Sequence, residues 1–262
     1  VGRAIREGEA CGQIEDARYT VCRPPRPVDW QTDDASVDSE PNISIPSPPT
    51  QTSAKRIAAT TLVNEVADAA ANGHSYTQSG ESAGLSPTTF GTVVHRINEL
   101  RPPRDDWPAL VRRLSGMAGE EPTESDLRNV IDHATDAVEF VDQVEADSQL
   151  EATYDEYSVV ARIGASRIVG DIDRLLVTPD AYHVIDYKTN DLSSTSTTNL
   201  ASHYRPQMLA YALALLQHDP DRGVRASLRF TDVGVEERFE WDASELSIIE
   251  SEVRSMVEMF VD

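Results

Sequence analysis

No other four residues constrain this chain as much as the turn Thr178-Pro179-Asp180-Ala181. Proline presets φ at the first corner of a tight turn, and aspartate bonds back to its own backbone. The centre therefore falls between Pro179 and Asp180. In an antiparallel hairpin about that centre, Val177 faces Tyr182, Leu175 faces Val184 and Asp173 faces Asp186. Side chains two apart share a face, which places Lys188 on the same side, opposite Asp171. The other face carries Ile172, Leu176, Ile185 and Tyr187. Both faces are mainly apolar, as in central strands covered on both sides. Opposed carboxylates with Cβ atoms about 4.5–5.5 Å apart repel unless a cation lies between them. With oxygen ligands that cation is Mg²⁺ or Mn²⁺. A one-residue slip would send the two acids to opposite faces. The plainer alternative pairs Asp173 with Arg174 or another arginine, and Lys188 with an acid at the sheet edge.

The elements around this hairpin read as an α/β or α+β domain with a mixed sheet. A helix is expected from about Lys55 to Ala71. Ser86-Pro87 opens another, with Ser as N-cap and Pro at the first helical position. Its apolar side is Phe90, Val93, Val94, Ile97 and Leu100, and Arg101-Pro102-Pro103 stops it. Further helices fit Trp107–Leu114, Glu124–Val144, Asn199–Gln217 and Leu246–Phe260. Tyr157–Ile163, Arg167–Val177, Tyr182–Tyr187, Arg225–Thr231 and Glu237–Trp241 read as strands. Residues 1–55 include a Pro-, Ser- and Asp-rich stretch too polar to offset its ordering entropy. They are expected to be a disordered linker or the remnant of a preceding domain, with the folded domain over 56–262. The first residue is Val, which fits a non-standard start or a piece of a longer polypeptide.

The charge balance is 45 acidic against 23 basic residues, a net charge of −22. A polyanion of this kind would ordinarily avoid nucleic acid. The acids are spread along the chain rather than gathered in one tail, and only Lys55 and Lys188 are lysines. That pattern fits adaptation to concentrated salt, where charge is screened within a few Å, so it does not exclude a nucleic-acid partner. Arginine replaces lysine almost everywhere, yet Lys188 ends an apolar strand two residues after Asp186. Lysine differs from arginine there in being a compact charge able to release a proton. The two cysteines, Cys11 and Cys22, read as unpaired thiols of an intracellular protein, and two ligands cannot close a four-thiolate iron–sulfur site. No apolar run is long enough for a membrane span and no signal peptide is visible, so a cytoplasmic protein is expected.

Gly170-Asp171-Ile172-Asp173, followed by Val184-Ile185-Asp186-Tyr187-Lys188-Thr189-Asn190, resembles the core strands of the RecB/AddA-like nuclease domains of the PD-(D/E)xK superfamily. Two further signatures occur in the same order. Gly91-Thr92-Val93-Val94-His95 matches an upstream helix ending in histidine, and Tyr204-x-x-Gln207-x-x-x-Tyr211 a downstream helix. The resemblance covers roughly residues 56–260. It implies a restriction-endonuclease-like core, a mixed sheet flanked by helices. It also implies a metal held by His95, Asp173, Asp186 and the Tyr187 main-chain carbonyl, with Asp173, Asp186 and Lys188 as the catalytic set. Lys188 would position or help deprotonate the attacking water. Gln207, Tyr211 and Tyr204 would lie at the DNA, and Glu156 matches a weaker family acid with an accessory role.

The implied chemistry is Mg²⁺- or Mn²⁺-assisted in-line hydrolysis of a DNA phosphodiester. The substrate would be a single strand or a duplex end, cut exonucleolytically during double-strand-break repair. The chain would be the C-terminal module of a UvrD-type helicase–nuclease, from a halophilic archaeon. No ATP-binding loop of the form G-x-x-x-x-G-K-[ST] occurs, so the UvrD/AddA-type motor would act from elsewhere, in cis or in trans. The four-cysteine cluster of iron–sulfur relatives is missing too. Two other readings remain: a stand-alone endonuclease of the same superfamily, and a catalytically silent nuclease fold used for DNA binding or docking.

Overall fold

The computed structural model describes residues 11–14, 17–20, 55–63, 84–192 and 195–259. The chain divides into two units, residues 1–49 and 50–262. In the first, β1 (Cys11–Ile14) and β2 (Ala17–Thr20) pair antiparallel, with Cys11 opposite Thr20. Apart from Lys55, the rest of the expected disordered segment, Cys22 included, lies outside the described residues.

The second unit follows the expected order. It contains β3 (Arg56–Ala58), α1 (Pro87–Leu100), α2 (Trp107–Met117), α3 (Glu124–Ala146), β4 (Ala152–Ile163), β5 (Ser166–Val177) and β6 (Ala181–Lys188). It continues with α4 (Thr197–His218), β7 (Gly223–Phe230), β8 (Val235–Trp241) and α5 (Leu246–Glu258). Local chemistry sets the helix ends. The Ser86 side chain accepts the Thr89 N–H and Pro87 opens α1, whose C-cap Arg101 is left-handed. Thr123 and Asp126 form a reciprocal capping box on α3, satisfying two donors a helix start leaves bare.

The six-stranded sheet is mixed. β4 runs antiparallel along one edge of β5. The opposite edge of β5 is shared, because β3 pairs parallel with residues 167–169 and β6 antiparallel with residues 174–177. β7 then runs parallel to β6 and β8 antiparallel to β7. The strand Arg56–Ala58 corrects the helix expected from Lys55: helical backbone begins only at Ala59, and residues 64–71 lie outside the described residues. α4 is buried continuously from Pro206 to Leu216, and with α5 it forms the main core against one sheet face. α3 covers part of the other face through Ala137 and Val141, against Leu176, Ile185 and Tyr187. α1, α2 and α3 share a second core around Val94, Ile97, Val111 and Val130. Among the described residues, no helix is long and apolar enough to cross a membrane.

The turn keeps its predicted register, with Val177 opposite Tyr182 and Leu175 opposite Val184. Two expectations fail just beyond it. The β5–β6 ladder ends at Arg174 and Ile185, so Asp173 and Asp186 are not a ladder pair. Ile172 joins the core under α4 together with Leu175 and Val177, rather than sharing a face with Leu176. The alternation of β5 therefore slips by one residue at Asp173. Opposite that point β4 holds Glu156 at φ +49°, a left-handed conformation uncommon outside glycine, asparagine and aspartate. β4 and β5 pair at Asp155–Arg174 and again at Tyr157–Ile172, skipping the rung between. Arg174 does not pair with Asp173. It is 7% exposed and bridges Glu145 on α3 and Asp155 on β4.

Candidate metal and active site

Residues 170–173 of β5 lie between the stretch held by β3 and the stretch held by β6, so no strand covers them on that edge. A cavity of about 490 Å³ opens there, lined by Asp171, Asp173, Asp186, Lys188, His95 and Gln207 among others. The slip at Asp173 directs its carboxylate to α1. His95 Nδ1 lies 3.3 Å from Asp173 Oδ1, and His95 Nε2 is 3.1 Å from the Tyr187 carbonyl oxygen. The Tyr187 N–H donates to Asp173 Oδ2 at 2.8 Å, replacing the missing ladder bond. His95 thus stands between two oxygen acceptors. Burial alone would lower its pKa, but the Asp173 carboxylate overrides that and raises it to about 9. Asp173 is lowered in turn: burial opposes ionisation, and His95, Lys188 and the Tyr187 N–H together outweigh it.

Asp186 and Lys188 enter the cavity from the α4 side. Asp186 is 2% exposed, and burial pushes its pKa up to about 6 despite the neighbouring ammonium. Lys188, which burial would lower, is raised by Asp186 and Asp173. Lys188 Nζ lies 2.5 Å from Asp186 Oδ2, a close and nearly buried ion pair. Gln207 Nε2 donates to Asp186 Oδ1 at 3.2 Å and to the Tyr211 hydroxyl at 2.8 Å. Gln207 Oε1 accepts from Lys188 Nζ at 3.2 Å. Tyr211 donates to the Asp171 main-chain carbonyl at 2.7 Å, within the uncovered stretch. The Tyr204 ring lies 4.1 Å from Lys188 Nζ, and its hydroxyl donates to Asn190 at 3.1 Å.

Of the sequence-derived set, His95, Asp173, Asp186 and Lys188 line one cavity, and the Tyr187 backbone is tied to His95 and Asp173 beside it. Gln207 and Tyr211 arrive there too, but they are only 4% and 1% exposed. Neither offers a face on which a base could stack. Tyr204, half-buried, faces the lysine.

The donor set suits a hard divalent cation. His95, Glu156 and Asp173 each offer a ligand atom, all within 4.8 Å of one another. The His95 ring already stands between two oxygen acceptors, Asp173 Oδ1 and the Tyr187 carbonyl. Burial and Asp173 raise the pKa of Glu156, and His95 only partly offsets them, so a cation would stabilise its charged form. Glu156→Gly is therefore expected to stabilise the metal-free protein by up to about 1 kcal/mol, by relieving left-handed strain. Mn²⁺ affinity should fall in the same variant. Unchanged Mn²⁺ binding by calorimetry would remove Glu156 from the set.

The raised His95 pKa implies a pH dependence. The group lies above its unfolded value, so its contribution is fully present below about pH 6.5 and lost as pH rises through about 9. With its side chain 31% exposed, screening reduces the effect to about 1–2 kcal/mol. In chelator, the wild type should lose more melting temperature between pH 6.5 and 9.5 than His95→Gln; equal losses would refute the ion pair.

Other contributors escaped the sequence reading. Thr231 donates its N–H at 3.0 Å and its hydroxyl at 3.2 Å to the Lys188 carbonyl, and His133 Nδ1 meets that hydroxyl at 2.7 Å. Ser158 donates to Asp171 Oδ1 at 2.5 Å. These residues lie far from Lys188 and Asp171 in sequence, and nothing in their local pattern marks them.

The sequence pattern described as the PD-(D/E)XK nuclease superfamily matches residues 53–261. No curated protein matches the chain. Similar solved structures include an alkaline exonuclease from Laribacter hongkongensis, 13% identical, covering 66% of this chain and 92% of that one with a TM-score of 0.32. Another, from Eubacterium rectale, carries a provisional exonuclease name. It is 9% identical, covers 70% of this chain and 68% of that one, and has a TM-score of 0.40. No functional conclusion rests on these two likenesses.

Proposed function

We propose that this chain, which belongs to the PD-(D/E)XK nuclease superfamily, is a divalent-metal-dependent deoxyribonuclease. The observation that carries the reading is the convergence of His95, Asp173, Asp186 and Lys188 on one cavity, with the Tyr187 carbonyl against His95 at its side. Asp173, Asp186, His95 and the Tyr187 carbonyl would hold Mg²⁺ or Mn²⁺, with Glu156 facing the same space. When bound, the cation supplies Lewis-acid polarisation of the phosphate and activation of water. The remaining work falls to the chain itself. Lys188, held by Asp186 and Gln207, brings a fixed positive charge to where charge builds on the phosphoryl oxygens. Tyr204 limits the positions its flexible stem can adopt. Gln207 and Tyr211 act as positioning residues rather than DNA contacts, tying Asp186 and Lys188 to the uncovered stretch of β5.

The order of motifs supports a RecB/AddA-like exonuclease spanning 56–262, working in the cytoplasm of a salt-adapted cell. In this reading it trims DNA ends during double-strand-break repair beside a UvrD-type motor, in cis or in trans. The test combines Mn²⁺ titration with cleavage of linear and circular single-stranded DNA in high salt. Mn²⁺ binding with loss of linear strands and survival of circles is expected. Cleaved circles would replace exonuclease with endonuclease, and no Mn²⁺ binding would replace the enzyme with a silent docking fold.

A further inference from the structure

Three arginines stand on one rung of the sheet. Arg56 on β3 is the parallel neighbour of Arg167 on β5, and Arg167 is the antiparallel neighbour of Arg162 on β4. Directly paired residues point to the same face. The next rung, Ile57, Ile168 and Ala161, is buried in the core under α4. The arginines therefore point away from that core, and all three are exposed.

Nothing in the fold explains this row. Like charges on directly opposed strand positions destabilise a sheet. Among the described residues, none of the three has an acidic partner or a side-chain hydrogen bond. Their surroundings make that unusual. Apart from Arg113 and Arg128, every other arginine between residues 84 and 259 has an acidic partner. In a chain of net charge −22, three adjacent guanidinium groups without an acidic partner among the described residues form a local exception.

The row also has a direction. On the same face, the rung toward the catalytic end is Ala58, Val169 and Val160, and Val160 is 51% exposed. Ser158 and Asp171 form the next, and Asp173 follows. Arg56, Val160, Asp171 and Asp173 all line the same cavity. From Arg167 to Asp173 the strand rises roughly 20 Å at ~3.3 Å per residue, the length of about six stacked nucleotides at ~3.4 Å each.

We propose that Arg56, Arg162 and Arg167 form a phosphate-binding row that holds the backbone of the nucleic-acid strand being cut, about six nucleotides from the scissile phosphate. The guanidinium fork matches phosphate oxygens, and the valine rung separates the row from Asp171, the first acid of the cavity. The proposal rests on the nuclease reading above, and its test can fail separately.

The test uses the triple variant Arg56→Gln, Arg162→Gln, Arg167→Gln, with Arg113→Gln, Arg128→Gln on α2 and α3 as a control for bulk charge. For a single strand of about 20 nucleotides, the triple variant should raise KM roughly tenfold, while cleavage of strands of about four nucleotides changes less than twofold. Binding is measured separately in a Lys188→Ala background. There the slope of log affinity against log salt should fall by about 2, three contacts at ~0.7 each. A KM and salt slope no different from the control would overturn the row. Should the wild type prove unable to cut DNA, the nuclease reading fails, and the salt slope of binding still decides for or against the row.

Discussion

Alanine at Asp186 is expected to lower DNA cleavage by about 10²- to 10³-fold or more, the range seen when one preorganised electrostatic group is removed from a water-poor site. Asp186 is nearly inaccessible, one oxygen is held by Gln207, and the other is paired with Lys188 at 2.5 Å. Lys188→Ala should cost a comparable factor, because no other lysine or arginine lines the cavity at that end. Single replacements also leave a buried charge unpaired, which destabilises on its own account. The double variant Asp186→Leu, Lys188→Met separates the two effects. Exchanging a buried ion pair for apolar groups of similar volume is often near neutral, so this protein should melt close to the wild type and yet be inactive. Wild-type cleavage in either single variant would sink the mechanism.

The second large effect is expected far from any charge. A Cβ built on Gly170 would lie 2.7 Å from Tyr211 Cε1 and 2.9 Å from Ala59 Cβ. Tyr211 cannot retreat easily, since it is 1% exposed and tied to Asp171 and Gln207. Gly170→Ala should therefore cost about 1–3 kcal/mol by overpacking, which for a domain this size means roughly 5 °C in melting temperature. The displaced tyrosine would also disturb Gln207, and through it both Asp186 and Lys188. Adding Tyr211→Leu to Gly170→Ala should recover much of the stability and little of the activity. Full recovery of both would show that the tyrosine does not position the site. No change in stability from Gly170→Ala alone would show the contact to be slack.

Much of this architecture was legible before any coordinates, for physical reasons particular to each element. The Pro179-Asp180 turn fixed the hairpin register because a tight turn permits few alignments. Ser86-Pro87 marked the start of α1 because cap chemistry is local. What could not be read depended on distant partners. Arg56–Ala58 is a strand only because β5 offers it an open edge, and its own residues suit a helix equally well. The face of Ile172 follows from a left-handed Glu156, a residue type that gives no warning of such a backbone. α4 is apolar nearly all round, so its periodicity did not assign Gln207 and Tyr211 to a buried network rather than an outward face. The arginine row exists only once three separate strands are aligned.

The shared edge of β5 also bears on how the protein comes to be assembled. β5 and β6 are joined by a short turn and can meet early, bringing Asp186 and Lys188 toward Asp173. Arg56 and Arg167, by contrast, are more than a hundred positions apart, and pairings at such separation are entropically late. In synthesis, β3 emerges first and must wait for its partner strand. The half-built domain would thus carry its acids before the far wall of the cavity exists, and the cavity would be completed only when β3 docks.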